Sequence, residues 1–129
     1  MEFPFEGQSP FDKLVGIRVK EASPDRVVAV LPVTESLHQN HGILHGGVYS
    51  TIIETVASVG AFLWLEGDGV PVGISNHTQF LRSVRSGELQ AEATPLTRGR
   101  STQLWQVGVT DEAGRLVAHG QVRLMNLRS

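Results

Sequence analysis

One segment of this chain, Gly46–Leu65, constrains the fold more than any other, because it is long and mostly apolar. Its apolar side chains recur at spacings of three and four, the period of an α-helix, at Val48, Ile52, Val56, Val59 and Leu63. The stripe is widened by Ile53, Ala57 and Ala61 until it covers most of the helix surface. We therefore expect a helix that is buried on nearly all sides.

Polar residues interrupt this segment at Ser50, Glu54 and Ser58, so we interpret it as the core helix of a soluble protein and not as a membrane span. The length of 129 residues fits one domain. We assign that domain to residues 1–129, with an irregular arm at residues 1–10. The acidic, proline-containing start of the chain is unlike a secretory signal.

The composition excludes several kinds of site and partner. The chain contains no cysteine, which excludes disulfides, thiolate zinc sites and cysteine nucleophiles. This absence agrees with a reducing cytoplasm, which we expect to be the compartment. The net charge of −2 at pH 7 gives no electrostatic reason to expect nucleic acid as a partner.

Strand patterns lie on both sides of the helix. Two such segments precede it and four follow it: Gly16–Lys20, Arg26–Pro32, Val72–Leu81, Gly87–Arg98, Ser101–Thr110 and Leu116–Met125. Phe11–Leu14 is expected to form a short helix, and Thr34–Leu44 is expected to be a loop. Since no second long helix is available for parallel crossovers, we predict an α+β fold. A largely antiparallel sheet of five or six strands wraps around the helix in this fold.

Two features of the helix indicate chemistry. Glu54 is a carboxylate within a mostly apolar helix, where burial is costly, and it is a candidate general base or nucleophile. A structural ion pair, or a glutamate exposed at an edge, is the alternative. Gly46 and Gly47 begin the helix, where backbone N–H groups lack intrahelical partners and can bind a developing oxyanion. Alternatively, these glycines only open the helix or allow close packing against the sheet.

The stretch Asn40–Gly47, with the sequence NHGILHGG, followed by the helical Glu54, resembles the hotdog-fold thioesterases. The resemblance is closest to the branch of the phenylacetate-pathway and 4-hydroxybenzoyl-CoA thioesterases, and Asp111–Ala118 is also similar to that branch. It covers nearly the whole chain. It implies a hotdog fold and hydrolysis of an acyl-CoA thioester to a free acid and CoA. No cofactor is implied, because the CoA moiety belongs to the substrate.

Helix geometry limits how these groups can act together. Gly46 and Glu54 are eight positions apart, which is roughly 12 Å along one helix. One thioester carbonyl does not easily contact both. The resemblance implies that the site lies at a homodimer interface, where Glu54 of one chain faces Gly46 of the other. It also implies that two sheets join edge to edge and that dimers pair again into a homotetramer.

The resemblance assigns four more residues near the helix start. Gln39 and His45 match polar positions that relatives place around the thioester, and Asn40 and Gly47 are counted with the substrate-binding residues. For His45, a structural role at the start of the helix is the alternative. We expect Gln39 and His45 to orient the carbonyl, the attacking water, or both.

Two further positions complete the predicted acyl side of the site. Ser58 lies one helical turn after Glu54, where relatives place a hydroxyl near the carboxylate. Back-bonding of this hydroxyl to the Glu54 carbonyl is equally open. Phe80 stands where some relatives carry a histidine, which favours a more apolar or aromatic acyl group.

The phosphates of CoA require cations, and arginines cluster near the predicted strand ends. Arg82 and Arg85 follow one strand, and the strongest group is Arg98, Gly99, Arg100 and Ser101. In relatives, residues on these strands and turns hold the nucleotide. Ordinary solvated surface is the alternative for each single arginine.

Three alternatives have less support in the sequence: a metal site, an enoyl-CoA hydratase and a non-catalytic binding module. His38, His41 and His45 are closely spaced, but Gly42 intervenes and no glutamate follows the first histidine, so no metal site is expected. Hydration of an enoyl-CoA on the same fold lacks the Asp/His pair of hotdog hydratases. A non-catalytic acyl-CoA-binding module would retain the arginines without needing Glu54.

Overall fold

The computed structural model describes residues 9–129, so most of the predicted arm at residues 1–10 lies outside the described residues. Helix α1 spans Pro10–Val15, slightly longer than predicted. The Ser9 hydroxyl accepts a hydrogen bond from the Asp12 N–H at 3.0 Å, and Pro10 occupies the start of the helix. Pro10 therefore belongs to a capped helix and not to the arm.

A six-stranded antiparallel sheet forms the larger part of the molecule. Its strands are β1 (Arg18–Ala22), β2 (Val27–Pro32), β3 (Val70–Phe80), β4 (Glu88–Arg98), β5 (Thr102–Thr110) and β6 (Leu116–Leu127). Their order in the sheet is β1-β2-β4-β5-β6-β3. All six predicted strands are present, with ends displaced by at most two residues. Strands β1 and β3 form the two edges of the sheet.

Helix α2 spans Gly46–Leu65, the predicted range, and the sheet wraps around it. Its residues Ile52, Ile53 and Val56 are fully buried and belong to the same core as Trp105 and Leu124 of the sheet. The helix is long and apolar enough to cross a membrane by composition alone, but here it packs inside the fold. The hotdog architecture and the α+β class are thus confirmed.

One side of α2 faces the edge strand β3 and helix α1 instead of the closed core. Ser50 and Ser58 are half-buried on this side, and Glu54 is exposed. The expectation that Glu54 is buried is therefore wrong for the single chain, because β3 is the last strand of the sheet and leaves the carboxylate at an open edge. The helix ends at Glu66 in a left-handed conformation, φ 49°.

The predicted loop between β2 and α2 contains a short 3-10 helix, Glu35–Leu37. His38 and Leu44 then form an isolated antiparallel bridge, and the His45 N–H donates to Leu37 O at 2.9 Å. These backbone hydrogen bonds fix the path by which the chain enters α2. The loop therefore presents the start of the helix in a defined orientation.

Candidate active site

Glu54 lies in a cleft of about 390 Å³ between α1, α2 and β3. The cleft is lined by Ser9, Phe11, Asp12, Ser50, Thr51, Glu54, Thr55, Ser58, Val59 and Asn76. No salt bridge to Glu54 is found within residues 9–129. The structural ion pair considered for this carboxylate is thus not formed among these residues, and the acidic side chain faces a cavity.

Edge strand β3 contacts the Glu54 carboxylate directly. The Asn76 side-chain amide lies 3.4 Å from Glu54 Oε1 and donates to Ser50 O at 3.0 Å. A Cβ added at Gly73 would lie 3.2 Å from Glu54 Oε2. A glycine at this position therefore leaves room for the carboxylate against the strand.

Helix α1 supplies the opposite wall of this cleft and is joined to α2 by one side-chain hydrogen bond. The Thr55 hydroxyl donates to Asp12 Oδ1 at 2.7 Å. This contact gives Thr55 a role in holding α1 beside Glu54, and it places a second carboxylate in the cleft. Sequence patterns gave no signal for Asp12 or Phe11, because the contact joins elements 43 residues apart.

Ser58 lines the same cleft as Glu54. Within residues 9–129 its hydroxyl makes no hydrogen bond to the Glu54 carbonyl, although Thr51 does bond back to Gly47 O at 2.9 Å. Back-bonding of Ser58 is therefore not the arrangement in this structure. The hydroxyl is left facing the cavity.

Gly46 lies in a different cleft, of about 400 Å³, at the start of α2. Its lining includes Gln39, Tyr49, Phe80 and Arg82. Within residues 9–129 the Gly46 N–H has no hydrogen-bond acceptor. A Cβ added at Gly46 would lie 3.0–3.4 Å from three carbons of the Phe80 ring, so a larger residue here would require the ring to shift.

His45 is the N-cap of α2. Its Nδ1 accepts a hydrogen bond from the Gly47 N–H at 2.8 Å, so the remaining ring proton of the neutral imidazole sits on Nε2. This bond occupies the Gly47 N–H and leaves Gly46 with the free amide. The structural role considered for His45 is therefore present, and its ring lines a neighbouring cleft with Phe11, Leu37 and Val48.

Two other groups shape the Gly46 cleft. Gln39 Oε1 accepts a hydrogen bond from the His41 N–H, which orients the Gln39 amide. Burial, and to a lesser extent the charge of Asp111, raises the pKa of Tyr49 above its ordinary value. The Tyr49 hydroxyl therefore stays protonated at neutral pH and donates to Arg82 O at 3.3 Å. Asn40 is exposed in the loop and lines neither cleft.

The structure separates the predicted phosphate-binding arginines. Arg82 lies beside Gly46, whereas Arg98 stacks over Trp64 at 5.5 Å, close to the other end of α2. Eighteen helical positions, about 27 Å, separate Gly46 from Trp64. Arg98 also donates to Pro24 O at 2.7 Å and forms an ion pair with Asp25 at 3.0 Å. The arginines therefore form two separate cationic sites and not the single cluster predicted from the sequence.

The turn from Gly99 to Ser101 is held through its backbone. Asn126 donates to Gly99 O at 3.0 Å and Arg100 O at 3.2 Å, and its own N–H donates to Ser101 O at 2.8 Å. The side chains of Arg100 and Ser101 are exposed. Arg100 is therefore the more accessible cation of the turn.

The clustered histidines are held by backbone groups. His38 Nε2 lies 2.8 Å from Arg85 O, and His45 Nδ1 is used in the helix cap. Across residues 9–129, no three His, Cys, Asp or Glu side chains come together in a group that could hold a metal ion.

Within one chain, the Glu54 cleft and the Gly46 cleft have no lining residue in common among residues 9–129. The Gly46 cleft brings together Gly46, Gln39, Phe80 and Arg82. The Glu54 cleft brings together Glu54 and Ser58. Asn76 was missed by sequence analysis because Ser75–Gln79 is polar throughout, so alternation does not reveal which side chains face inward.

Comparison with known proteins agrees with this architecture. A model of the Thioesterase superfamily matches residues 41–118. The Mycobacterium tuberculosis protein Rv1847/MT1895 is 48% identical in its solved structure, covers 94% of this chain and 98% of its own, and superposes with a TM-score of 0.92. The 1,4-dihydroxy-2-naphthoyl-CoA hydrolase of Listeria monocytogenes is 36% identical over 80% of this chain and 84% of its own length. The chain belongs to the thioesterase superfamily and is a thioester hydrolase of the hotdog fold.

Proposed function

We propose that this enzyme hydrolyses an acyl-CoA thioester to a carboxylic acid and CoA at a site shared by two chains. The observation that carries the proposal is the division of the chemistry between two clefts at different points along strand β3. One cleft holds an unpaired amide at Gly46, and the other holds the Glu54 carboxylate, which has no ion-pair partner among residues 9–129. Each cleft therefore supplies one of the two groups that the reaction needs, the amide donor or the carboxylate.

Antiparallel pairing of β3 with β3 of a second chain joins these two clefts. Glu54 lies against β3 at Gly73 and Asn76, and Gly46 lies against it at Phe80. A two-fold axis near the middle of the paired strands sets Phe80 opposite the partner's Gly73–Asn76 segment. The pairing also satisfies the free backbone groups of an edge strand.

The reaction follows from these positions. The carbonyl oxygen of the thioester accepts a hydrogen bond from the Gly46 N–H, which stabilises the charge that develops in the tetrahedral intermediate. Glu54 of the facing chain either takes a proton from the attacking water or attacks the carbonyl to form a mixed anhydride that water then opens. The C–S bond breaks in both routes, and CoA leaves as the thiolate. No cofactor takes part.

The surrounding residues complete the binding site. Gln39 and the Nε2–H of His45 orient the carbonyl or the water, and the Ser58 hydroxyl contacts the water beside Glu54. Phe80 packs on the acyl group. His45 also keeps the Gly47 amide occupied, so Gly47 contributes only the close approach of backbone to substrate.

We place the CoA nucleotide on exposed cations at the mouth of the site. Arg82 contributes charge beside Gly46, with the loop residue Asn40 as a polar group, and the separate turn of Gly99, Arg100 and Ser101 contributes from the facing chain. Arg98 acts through the turn, because its guanidinium is held by Asp25 and Trp64. Aromatic acyl groups are the first class to assay, since Phe80 exposes an aromatic ring and relatives are named 1,4-dihydroxy-2-naphthoyl-CoA hydrolase.

Dimers pair again through the outer face of the sheet to form a homotetramer in the cytoplasm. Val70 lies opposite Leu127 and Val72 opposite Met125, and all four side chains are exposed. They form a continuous apolar patch on the side away from α2. Such patches on soluble proteins mark protein interfaces.

Replacing Glu54 with glutamine tests the function. Thiol release from a panel of aromatic, short-chain and long-chain acyl-CoA thioesters should fall by about 100-fold or more in E54Q, because glutamine is neither a base nor a nucleophile at neutral pH. The matched control is E66Q, at the exposed end of the same helix, which should keep wild-type turnover. Undiminished thiol release by E54Q would reject the site.

Binding of acyl-CoA without thiol release in the wild type would favour the non-catalytic module. Loss of enoyl-CoA without thiol release would favour a hydratase.

A further inference from the structure

Strand β3 contains an irregularity where it passes Glu54. Gly73 pairs with Leu124 of β6, but Ser75 pairs with the next residue, Arg123, so one extra residue bulges between them. A bulge changes which side chains face inward. Here it turns Asn76 towards α2 and brings Gly73 against the Glu54 carboxylate.

The Asn76 amide is held by two good hydrogen bonds before it meets Glu54. Its Nδ2 donates to Ser50 O at 3.0 Å, and its Oδ1 accepts from the Thr78 hydroxyl at 2.7 Å. Nδ2 has two protons. With one of them committed to Ser50, the other is directed towards Glu54 Oε1 at 3.4 Å.

The Ser50 carbonyl, which can only accept, decides the orientation of this amide. A flipped Asn76 would point its carbonyl oxygen at two other acceptors, Ser50 O and Glu54 Oε1, whereas the Thr78 hydroxyl can donate or accept and suits either orientation. The orientation with Nδ2 towards Glu54 is therefore the one in which every polar atom has a suitable partner. Neither Asn76 nor Thr78 is among the site residues expected from the sequence.

We propose that Asn76 is the positioning residue for the catalytic carboxylate, and that Thr78 supports Asn76 by donating to its side-chain oxygen. Asn76 holds Oε1, which leaves Oε2, over Gly73 at the open edge of the sheet, to act on water or on the thioester carbon. This inference rests on the proposed role of Glu54. The long 3.4 Å contact stabilises the charged carboxylate without locking it in place.

The other charged group in the cleft makes this donor more important. Asp12 approaches from α1, with one oxygen held by Thr55. Of the groups that face Glu54 from the packed elements, Asp12 is a second negative charge on α1, Ser58 is neutral on α2 and Asn76 is the donor on β3. Removing the donor leaves the carboxylate less stabilised beside a like charge.

The test compares N76A, N76D, T78V and T78S with wild type. We expect N76A to lower kcat about tenfold with little change in KM. N76D should lower kcat further, because it adds a negative charge beside the Glu54 carboxylate. T78V should produce a smaller loss, and T78S should restore wild-type values. S75A, which alters the opposite face of β3, is the matched control and should behave as wild type.

A second readout does not depend on turnover. The carboxylate stretching band of Glu54, isolated as the infrared difference between wild type and E54Q, should shift in frequency in N76A, because one oxygen loses its hydrogen bond. Wild-type values of both kcat and this frequency in N76A and T78V, with melting curves unchanged, would overturn the positioning role. An effect on KM alone would overturn it too. Activity retained by E54Q would instead reject the proposed function, so the two failures are distinguishable.

Discussion

Gly46 offers a free backbone N–H and has no side chain that would collide with its neighbour Phe80. Its N–H is unpaired within residues 9–129, and the Phe80 ring covers the position that a side chain would take. At the first position of a helix an unpaired N–H is normal, and here it lies in a cleft that Tyr49 and Phe80 also line. An amide from which a bound substrate excludes water is a stronger donor to a developing negative charge than one in open water.

The His45 side chain determines which of the two glycine amides at the start of α2 is free. By capping the Gly47 N–H, the imidazole leaves Gly46 as the amide that would contact a substrate oxygen in the proposed reaction. An N-cap side chain normally serves stability. In this position it also selects which backbone amide is available for chemistry.

Tyr49 leads to a prediction about alkaline pH. Burial raises its pKa in the folded chain, so the folded state holds the proton more tightly than the unfolded chain does. The stability from this group is complete below roughly pH 10, the unfolded value, and is lost as the pH rises through the folded pKa. The unfolding free energy of wild type should therefore fall more steeply above that pH than that of Y49F.

Because Tyr49 is the chain's one tyrosine, its ionisation can be followed directly by ultraviolet absorbance. The midpoint in the folded protein should lie above that of the same chain in strong denaturant. Equal midpoints in the two states would contradict the burial argument, as would parallel pH profiles of stability for wild type and Y49F.

At the scale of elements, a buried polar cluster joins β5, β6 and α2. Gln103 donates to Ala61 O at 3.2 Å and to Asn126 Oδ1 at 2.9 Å, and accepts from Trp105 Nε1 at 2.8 Å. Gln103 is fully buried, and its side-chain amide links β5 to helix α2 and to β6, while Trp105 bonds to it from the same strand. The cluster fixes how α2 lies against the sheet and hence where Glu54 stands relative to β3.

Substituting Gln103 with leucine should destabilise the protein by roughly 3 kcal/mol, because the Trp105 indole N–H and the Asn126 carbonyl lose their partner in the core. Denaturant unfolding at a fixed protein concentration measures this change. Q106L on the same strand, at a half-exposed position, should alter stability by less than about 0.5 kcal/mol. Equal losses in the two variants would show that the buried hydrogen bonds are not the cause.

The elements themselves were largely predictable. Helix α2 has the predicted ends, and each strand lies within two residues of its expected range, since both depend on local periodicity. The orientation of Asn76 was not predictable, because a run of polar residues carries no alternation and the bulge before it changes the inward face. Likewise, the exposure of Glu54 depends on β3 being an edge strand, which no local pattern reveals.

At the scale of the whole molecule, the arrangement of the two clefts predicts that inactive chains can complement each other. G46P removes the amide proton, and proline is well tolerated at the first helical position after His45, whose ψ is 134°. G46A adds the same Cβ but keeps the N–H. We expect G46P to lose about 100-fold or more in kcat and G46A to lose much less.

Co-expression of E54Q and G46P chains with different affinity tags allows the mixed dimer to be isolated. One of its two sites combines the intact Glu54 of one chain with the intact Gly46 of the other, so about half of wild-type activity should return. If each site were built from one chain, every site in the mixed dimer would be defective. A mixed dimer as inactive as its parents would therefore refute the shared site.

The sequence by itself determined the central helix, the six antiparallel strands and the residues that resemble a thioesterase motif, because periodicity and local motifs are properties of neighbouring residues. Only the tertiary structure decided which groups meet. It places Glu54 at an open sheet edge beside Asn76, and it places Arg98 near the end of α2 that is far from Arg82. These outcomes depend on strand order and register, which bring together residues far apart in the chain.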